Sequence, residues 1–199
     1  MKRRILSIDF DYFIDTDIDT RNTKFPDGVD EKPTTELIDE WNIMYTKYPE
    51  IKDIGVIEDF IACKGNLSML RFGKVLISNS HKDIAKLFPL IDPEDKLEVI
   101  HIDFHHDNYI SGGDKVDCAN WVRHLMQLRG NNTRIEWIRR NDSETTSLEG
   151  VFPYYTHRDF IIDGEYDYIF LCFSPEWTPP HLAHYFNELC KSVDHLEHI

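Results

Sequence analysis

Asp103, His105 and Asp107 stand at alternate positions, D-x-H-x-D, at the end of the apolar run Leu97–Phe104. Continued as extended backbone, that spacing points all three side chains to one side. Two carboxylates and an imidazole gathered at one point repel or stay underused unless a cation joins them, so the segment reads as a divalent-metal site. Asp9 and Asp11 repeat the i, i+2 spacing at the end of Arg3–Phe10, and His81 follows the run Phe72–Ser78. Together these residues offer four carboxylates and two imidazoles, the complement of two metal ions with shared carboxylates. Mixed oxygen and nitrogen donors suit Mn²⁺, with Fe²⁺, Co²⁺ or Zn²⁺ as substitutes.

The signals differ in weight. An isolated D-x-D more often caps a helix or orders a loop, and a lone histidine at a helix start is more often a cap or a surface residue. D-x-H-x-D after an apolar strand is far more specific. His101 and His106 are expected to pack against a covering helix or to hydrogen-bond to the ligands. Asp15, Asp17 and Asp19 have calcium-loop spacing, but an EF-hand would need Gly at 20 and Glu at 26, where Thr20 and Pro26 stand.

The elements that must position these groups follow from hydropathy. Arg3–Phe10, Phe72–Ser78, Leu97–Phe104, Arg134–Ile138 and Tyr166–Phe173 read as strands, the last without strict alternation, as for a strand covered on both faces. Helices are expected over Thr34–Tyr48 (Leu37, Trp41, Met44 and Tyr48 inward), His81–Phe88 and Cys118–Leu128 (Trp121, Leu125 and Leu128 inward). A final helix is expected with Thr178 as its cap and Pro179 at its first position, burying Leu182, Phe186, Leu189 and Val193. Asp11 to Pro33, with Pro26 and Gly28, is expected to be an ordered loop. Strands alternating with helices predict one α/β domain with three layers and a mostly parallel sheet. In such sheets ligands sit beyond the carboxyl ends of the strands. Four of the expected strands lead into polar clusters there, the last being Ser174-Pro175-Glu176-Trp177-Thr178-Pro179.

Composition narrows the partners. The 199 residues carry 22 Lys+Arg against 36 Asp+Glu, a net charge of −14, which argues against nucleic acid. With 41% hydrophobic and 13% aromatic residues, the chain is not a disordered acidic one. No apolar run is long enough to span a membrane, and the basic start is interrupted by Asp9 and Asp11, so no signal peptide is expected. Four scattered cysteines, Cys63, Cys118, Cys172 and Cys190, read as reduced thiols of a cytoplasmic protein. Residues 1–60 hold 8 basic and 15 acidic side chains, and residues 159–199 hold 1 and 8. If these ends meet, they form a negative face suited to metals or a basic substrate, although most such residues serve solubility. Arg123, Arg129, Arg134, Arg139 and Arg140 read as a solvated basic face, with contact to an acidic peptide segment as the alternative.

The motifs resemble those of the arginase/ureohydrolase superfamily, most closely its small branch of peptide arginases, which convert arginine to ornithine within ribosomal peptides. Asp103-x-His105-x-Asp107 matches the family's D-x-H-x-D, Ser7-x-Asp9-x-Asp11 its S-x-D-x-D, and His81 its lone histidine. Glu176, ahead of Pro179, is similar to the glutamate that receives the substrate guanidinium. The matched segments run from residue 5 to 180. S-x-D-x-D stands at the N-terminus here rather than after D-x-H-x-D, the histidine turn lacks glycines, and the chain is shorter than usual. The shortening implies an open pocket able to take a side chain on a peptide.

The resemblance implies one metal held by His81, Asp103, Asp107 and Asp9, and another by His105 and Asp11, with Asp103 and Asp9 bridging. It implies an arginine-containing precursor peptide as partner, with urea and peptidyl ornithine as products. Asp11 is the candidate for carrying a proton to the leaving amine. Asn120 is expected either at the pocket rim or as a local cap beside a core Trp121. The oligomeric state stays open. Alternatives are a single-zinc histone-deacetylase-like amidohydrolase, a free-guanidino ureohydrolase such as an agmatinase, and a binding module that holds a basic peptide in an acidic cleft.

Overall fold

The computed structural model describes residues 1–26, 32–110, 115–145, 160, 162 and 164–199. Six strands, β1 (Lys2–Asp9), β2 (Lys74–Ser78), β3 (Lys96–Ile102), β4 (Thr133–Ile138), β5 (Tyr168–Cys172) and β6 (Glu197–His198), form one sheet in the order β4-β3-β1-β5-β2-β6. Every pairing is parallel. Among the described residues five α-helices accompany it: α1 (Ile18–Lys24), α2 (Thr34–Lys47), α3 (Asp59–Met69), α4 (Trp121–Arg129) and α5 (Ala183–Lys191).

The pleat divides each strand between two cores. Leu6 and Ile8 of β1, Ile100 and Ile102 of β3 and Leu171 of β5 pack with Trp41 of α2, Phe60 and Leu67 of α3, and Phe186 and Leu189 of α5. Ile5, Val99, Trp137 and Phe170 turn the other way, onto Trp121, Val122 and Leu125 of α4 and onto Ile84 and Leu87 of a 3-10 segment, His81–Leu90. Fully burying each such side chain is worth about 1.5–3 kcal/mol, so both faces of the sheet are strongly covered. The three-layer α/β architecture is therefore as expected, with the sheet wholly parallel.

Strand order places the ligand crevice. β1 is central, and the chain crosses from β2 on one side of it to β3 on the other, then returns from β4 to β5. Neighbouring connections diverge at the carboxyl end of β1, which opens a crevice there.

Local elements differ from expectation in several places. The segment after Asp11 is not a loop throughout: Phe10–Phe13 is a 3-10 turn, and α1 follows with Asp17 as its cap, its side chain accepting from Thr20 N at 2.7 Å. Asp17 thus serves as a helix cap, the ordinary role of a short acid beside free N–H groups. Gly28 lies outside the described residues. His81–Leu90 is 3-10 rather than α, with Pro89 inside it. Leu128 is 70% exposed and Val122 takes the expected inner position. Thr178 caps no helix: its hydroxyl donates to Phe173 O at 2.7 Å, and α5 begins at Ala183 after a 3-10 turn, Pro180–Leu182. No described helix is long and apolar enough to cross a membrane. All four cysteines are free.

Candidate metal centre and pocket

Register brings the first ligands together. Ser7 pairs with His101 and Ile8 with Ile102, so Asp9 and Asp103 stand one residue further along adjacent strands. Asp9 also pairs with Cys172, and Ser78 with Cys172, which places the start of the His81 segment and the Ser174 turn at the same edge.

His81 is the hub. Its Nδ1 lies 3.1 Å from Asp9 Oδ2, 3.0 Å from Asp103 Oδ2 and 3.0 Å from Asp107 Oδ2. Nε2 is 2.8 Å from Ser7 Oγ. With the ring hydrogen on Nε2 and donated to that hydroxyl, the Nδ1 lone pair faces the three carboxylates. His105 forms a second cluster: its Nδ1 is 2.9 Å from Asp11 Oδ2 and 3.8 Å from Asp103 Oδ1. Asp103 stands between the two, one oxygen toward each histidine. Asp11 Oδ2, His81 Nδ1 and Asp103 Oδ2 are buried with no hydrogen-bond partner. Buried polar atoms are ordinarily satisfied, and orphans that converge on a common point are what a cation would satisfy.

The donor set could therefore hold a metal ion. Two overlapping groups, His81–His101–Asp103 and Asp11–Asp103–His105, have ligand atoms all within 4.8 Å of one another. The extended alternation expected of D-x-H-x-D stops at Ile102. Asp107 has a positive φ of 52°, a strained conformation for a non-glycine residue. That bend returns Asp107 to the His81 side while His105 faces Asp11. Strain of this kind persists only where surroundings hold it. Here Trp121 Nε1 donates to Asp107 Oδ2 at 2.6 Å and Val122 N to Asp107 O at 3.1 Å.

The electrostatics describe four carboxylates crowded around two imidazoles, with Arg21 behind one of them. Burial, reinforced by Asp107, Asp11 and Asp9, raises the Asp103 carboxyl well above its ordinary range. Burial opposes the charged form of His81, but Asp107, Asp103 and Asp9 outweigh it and raise the imidazole well above its ordinary value. Burial would likewise raise Asp11, yet His105 and Arg21 hold it below the usual carboxylate range.

His101 contributes more than packing. Two residues before Asp103, it shares that residue's side of β3, and its Nε2 is 3.5 Å from Asp103 Oδ2 and 3.9 Å from Asp107 Oδ2. Its ring also meets Trp121 edge-on, 5.0 Å between centroids, which is the packing expected of it. Burial lowers its pKa to about 3, so it is a neutral donor. The even spacing His101–Asp103–His105 was the signal that could have singled it out. His106 stacks on Tyr109 at 3.8 Å, away from the ligands.

A cavity of about 460 Å³ opens onto this cluster. Asp9, His81, Asp103, His105, Asp107 and Glu176 line it, with Ile18, Phe104, Tyr109, Ile110 and Trp177 as apolar wall. Glu176 is 6% exposed. Its turn is fixed by Trp41 Nε1 donating to Pro175 O at 2.9 Å and by Trp177 N donating to Ser174 O at 2.9 Å. The two acidic ends of the chain do meet here, Asp9 from one and Glu176 from the other.

Two expected residues lie off the pocket wall, Asn120 in a loop and Asp11 in the second cluster beside His105. Asn120 does not line the pocket: fully buried, its Oδ1 accepts from Asp117 N at 2.9 Å and its Nδ2 donates to Lys115 O at 3.0 Å. It shapes the 115–120 loop ahead of α4. Asp11 is 0% exposed and is not among the lining residues. Nor are Arg129 and Arg140 part of a solvated face. Arg129 donates to the carbonyls of Asp92 and Asp95 at 3.0 and 2.7 Å, and Arg140 to those of Ile14 and Thr16.

Ser174 was hidden in the polar cluster after β5. Its φ is 45°, and its hydroxyl donates to Asp9 Oδ2 at 2.5 Å. Ser174→Ala should weaken metal binding about tenfold, the usual cost of removing a partner that orients a ligand. Calorimetric titration with Mn²⁺ would read this, and unchanged affinity would reduce Ser174 to a turn residue. Comparison with models of protein families, with curated proteins and with solved structures finds no match to this chain.

Proposed function

We propose that this protein is a metal-dependent hydrolase that removes urea from arginine side chains of a peptide, leaving ornithine. The observation that carries the reading is the convergence of Asp9, Asp103 and Asp107 on His81 Nδ1, with His105 and Asp11 assembled beside them. His81, Asp9, Asp103 and Asp107 would hold one ion, and Asp11, His105 and Asp103 the other, with Mn²⁺ the best fit to these donors. Two such ions, when bound, activate water near neutral pH and polarise a substrate atom.

The rest falls to the chain. Glu176 accepts two parallel N–H bonds from the guanidinium and turns its carbon toward the ligand cluster. Ile18, Tyr109, Ile110 and Trp177 pack against the methylenes of the side chain and exclude water. Every described ionisable residue of the lining is a carboxylate, an imidazole, a phenol or a thiol, and none is lysine or arginine. No lysine or arginine among the described lining residues would receive a free amino acid's α-carboxylate, whereas a peptide-bound arginine brings no such group. This supports a peptidyl substrate over free arginine.

The test is incubation with Mn²⁺ and, separately, an arginine-containing peptide, arginine and agmatine, with urea assay and mass spectrometry for loss of CN₂H₂ per converted residue. Release from the peptide alone supports the reading. Release from agmatine alone would make the protein a free-guanidino hydrolase, and uptake of a single zinc would favour a deacetylase-like reaction.

Metal uptake should also release protons. His81 and Asp103 have raised pKa values in the metal-free cluster and hold protons that a ligand must lose. Affinity should therefore rise with pH until those groups deprotonate unaided. Calorimetry in buffers of different ionisation enthalpy measures the protons released; none released would mean these groups are not ligands.

A further inference from the structure

A fully buried cation stands behind Asp11. Arg21, on α1, is 1% exposed and is not part of the pocket lining. Its Nη2 donates to Asp11 O at 2.7 Å and to Ile14 O at 3.2 Å, and its Nη1 is 3.6 Å from Asp11 Oδ2. The guanidinium lies over the Phe104 ring, 3.9 Å from the centroid, and Phe104 N donates to Asp11 Oδ1 at 3.4 Å. Arg140 reaches the same ring at 5.6 Å and donates to Ile14 O and Thr16 O. Two guanidinium groups and one aromatic ring thus join the Asp11 turn to the Asp103–His105 turn.

The ordinary role for such a residue is to cap the turn. Neutral donors would satisfy two carbonyl oxygens equally well, and a buried guanidinium carries a heavy desolvation penalty. What a neutral donor cannot supply is a charge beside a 0% exposed carboxylate. Arg21 holds the backbone of Asp11 by hydrogen bonds and sets a positive charge 3.6 Å from its carboxylate, among three other carboxylates.

We infer that Arg21 is a positioning residue that aims Asp11 at His105 and Asp103 and so controls filling of the second metal position. The inference rests on the two-ion reading above. Without the fork, the carbonyls of Asp11 and Ile14 lose a partner and the turn relaxes toward water. A metal ligand displaced in this way binds more weakly, and that loss exceeds the gain from removing a like charge near the incoming cation.

The experiment is calorimetric Mn²⁺ titration of the intact wild-type protein, Arg21→Met and Arg21→Lys, with bound metal counted by elemental analysis. The wild type should take up two ions. Arg21→Met should bind the first with unchanged affinity, which reports an intact fold, and the second about 10- to 100-fold more weakly. Arg21→Lys keeps the charge but not the fork, and should fall between the two. A second step in Arg21→Met as tight as in the wild type, or tighter, overturns the inference. So does Arg21→Lys matching the wild type, which decides the matter should Arg21→Met fail to fold. A wild-type protein that binds one ion overturns the two-ion reading itself, and this inference with it.

Discussion

Asp103→Asn should abolish stabilisation by Mn²⁺ while leaving the metal-free protein at least as stable as the wild type. Asp103 is the residue shared by both clusters, 3.0 Å from His81 Nδ1 and 3.8 Å from His105 Nδ1. In the metal-free state it is buried against Asp107, Asp11 and Asp9, and its ionised form is disfavoured by all of them. Asparagine keeps an acceptor for the backbone N–H of His105, which Asp103 Oδ1 now receives at 2.7 Å, and removes the repulsion. The wild type should gain about 2.7 kcal/mol at a hundredfold excess of metal over its Kd, roughly 5–10 °C in Tm for a chain of this size. The variant should gain nothing, and urea release should disappear with it. Thermal unfolding with Mn²⁺ and with EDTA tests both halves. Metal-induced stabilisation that survives in the variant would place the ions elsewhere.

Glu176→Gln should do the opposite: full metal binding and little activity. Glu176 lines the pocket and belongs to neither of the two groups of candidate ligands. Glutamine is isosteric, so the turn held by Trp41 and Ser174 should survive. The loss is one charged acceptor facing a guanidinium, worth about 2–4 kcal/mol when desolvated, or roughly 30- to 1000-fold in kcat/KM. Metal stoichiometry should remain that of the wild type. If stoichiometry falls too, Glu176 is a ligand rather than the receiver of the substrate. Together the two variants separate holding the metal from holding the substrate.

How much of this was legible beforehand depends on how local the physics is. The five longer strands and their order of appearance were readable because apolar runs rich in β-branched residues require no tertiary knowledge. Helices α1 and α3 were not. α1 is a polar seven-residue segment whose only buried residue is Arg21, so no apolar stripe marks it. Thr178 and Pro179 look like a helix start, yet the Phe173 carbonyl at the end of β5 claims the Thr178 hydroxyl. Local capping chemistry is the same in a turn and in a helix, and only the neighbouring strand decides between them.

The candidate site divides in the same way. Residue types and spacing marked Asp103, His105 and Asp107 as candidates, more weakly Asp9, Asp11 and His81, and the family resemblance supplied the expectation for Glu176. Tertiary structure decided what spacing cannot encode. Parallel register set Asp9 level with Asp103. The left-handed bend at Asp107 sent D-x-H-x-D to two centres instead of one side. Packing under α4 buried Asn120 in a loop, while α1 placed Arg21 behind Asp11. Each of these depends on contacts between segments far apart in the chain, and no local pattern carries that information.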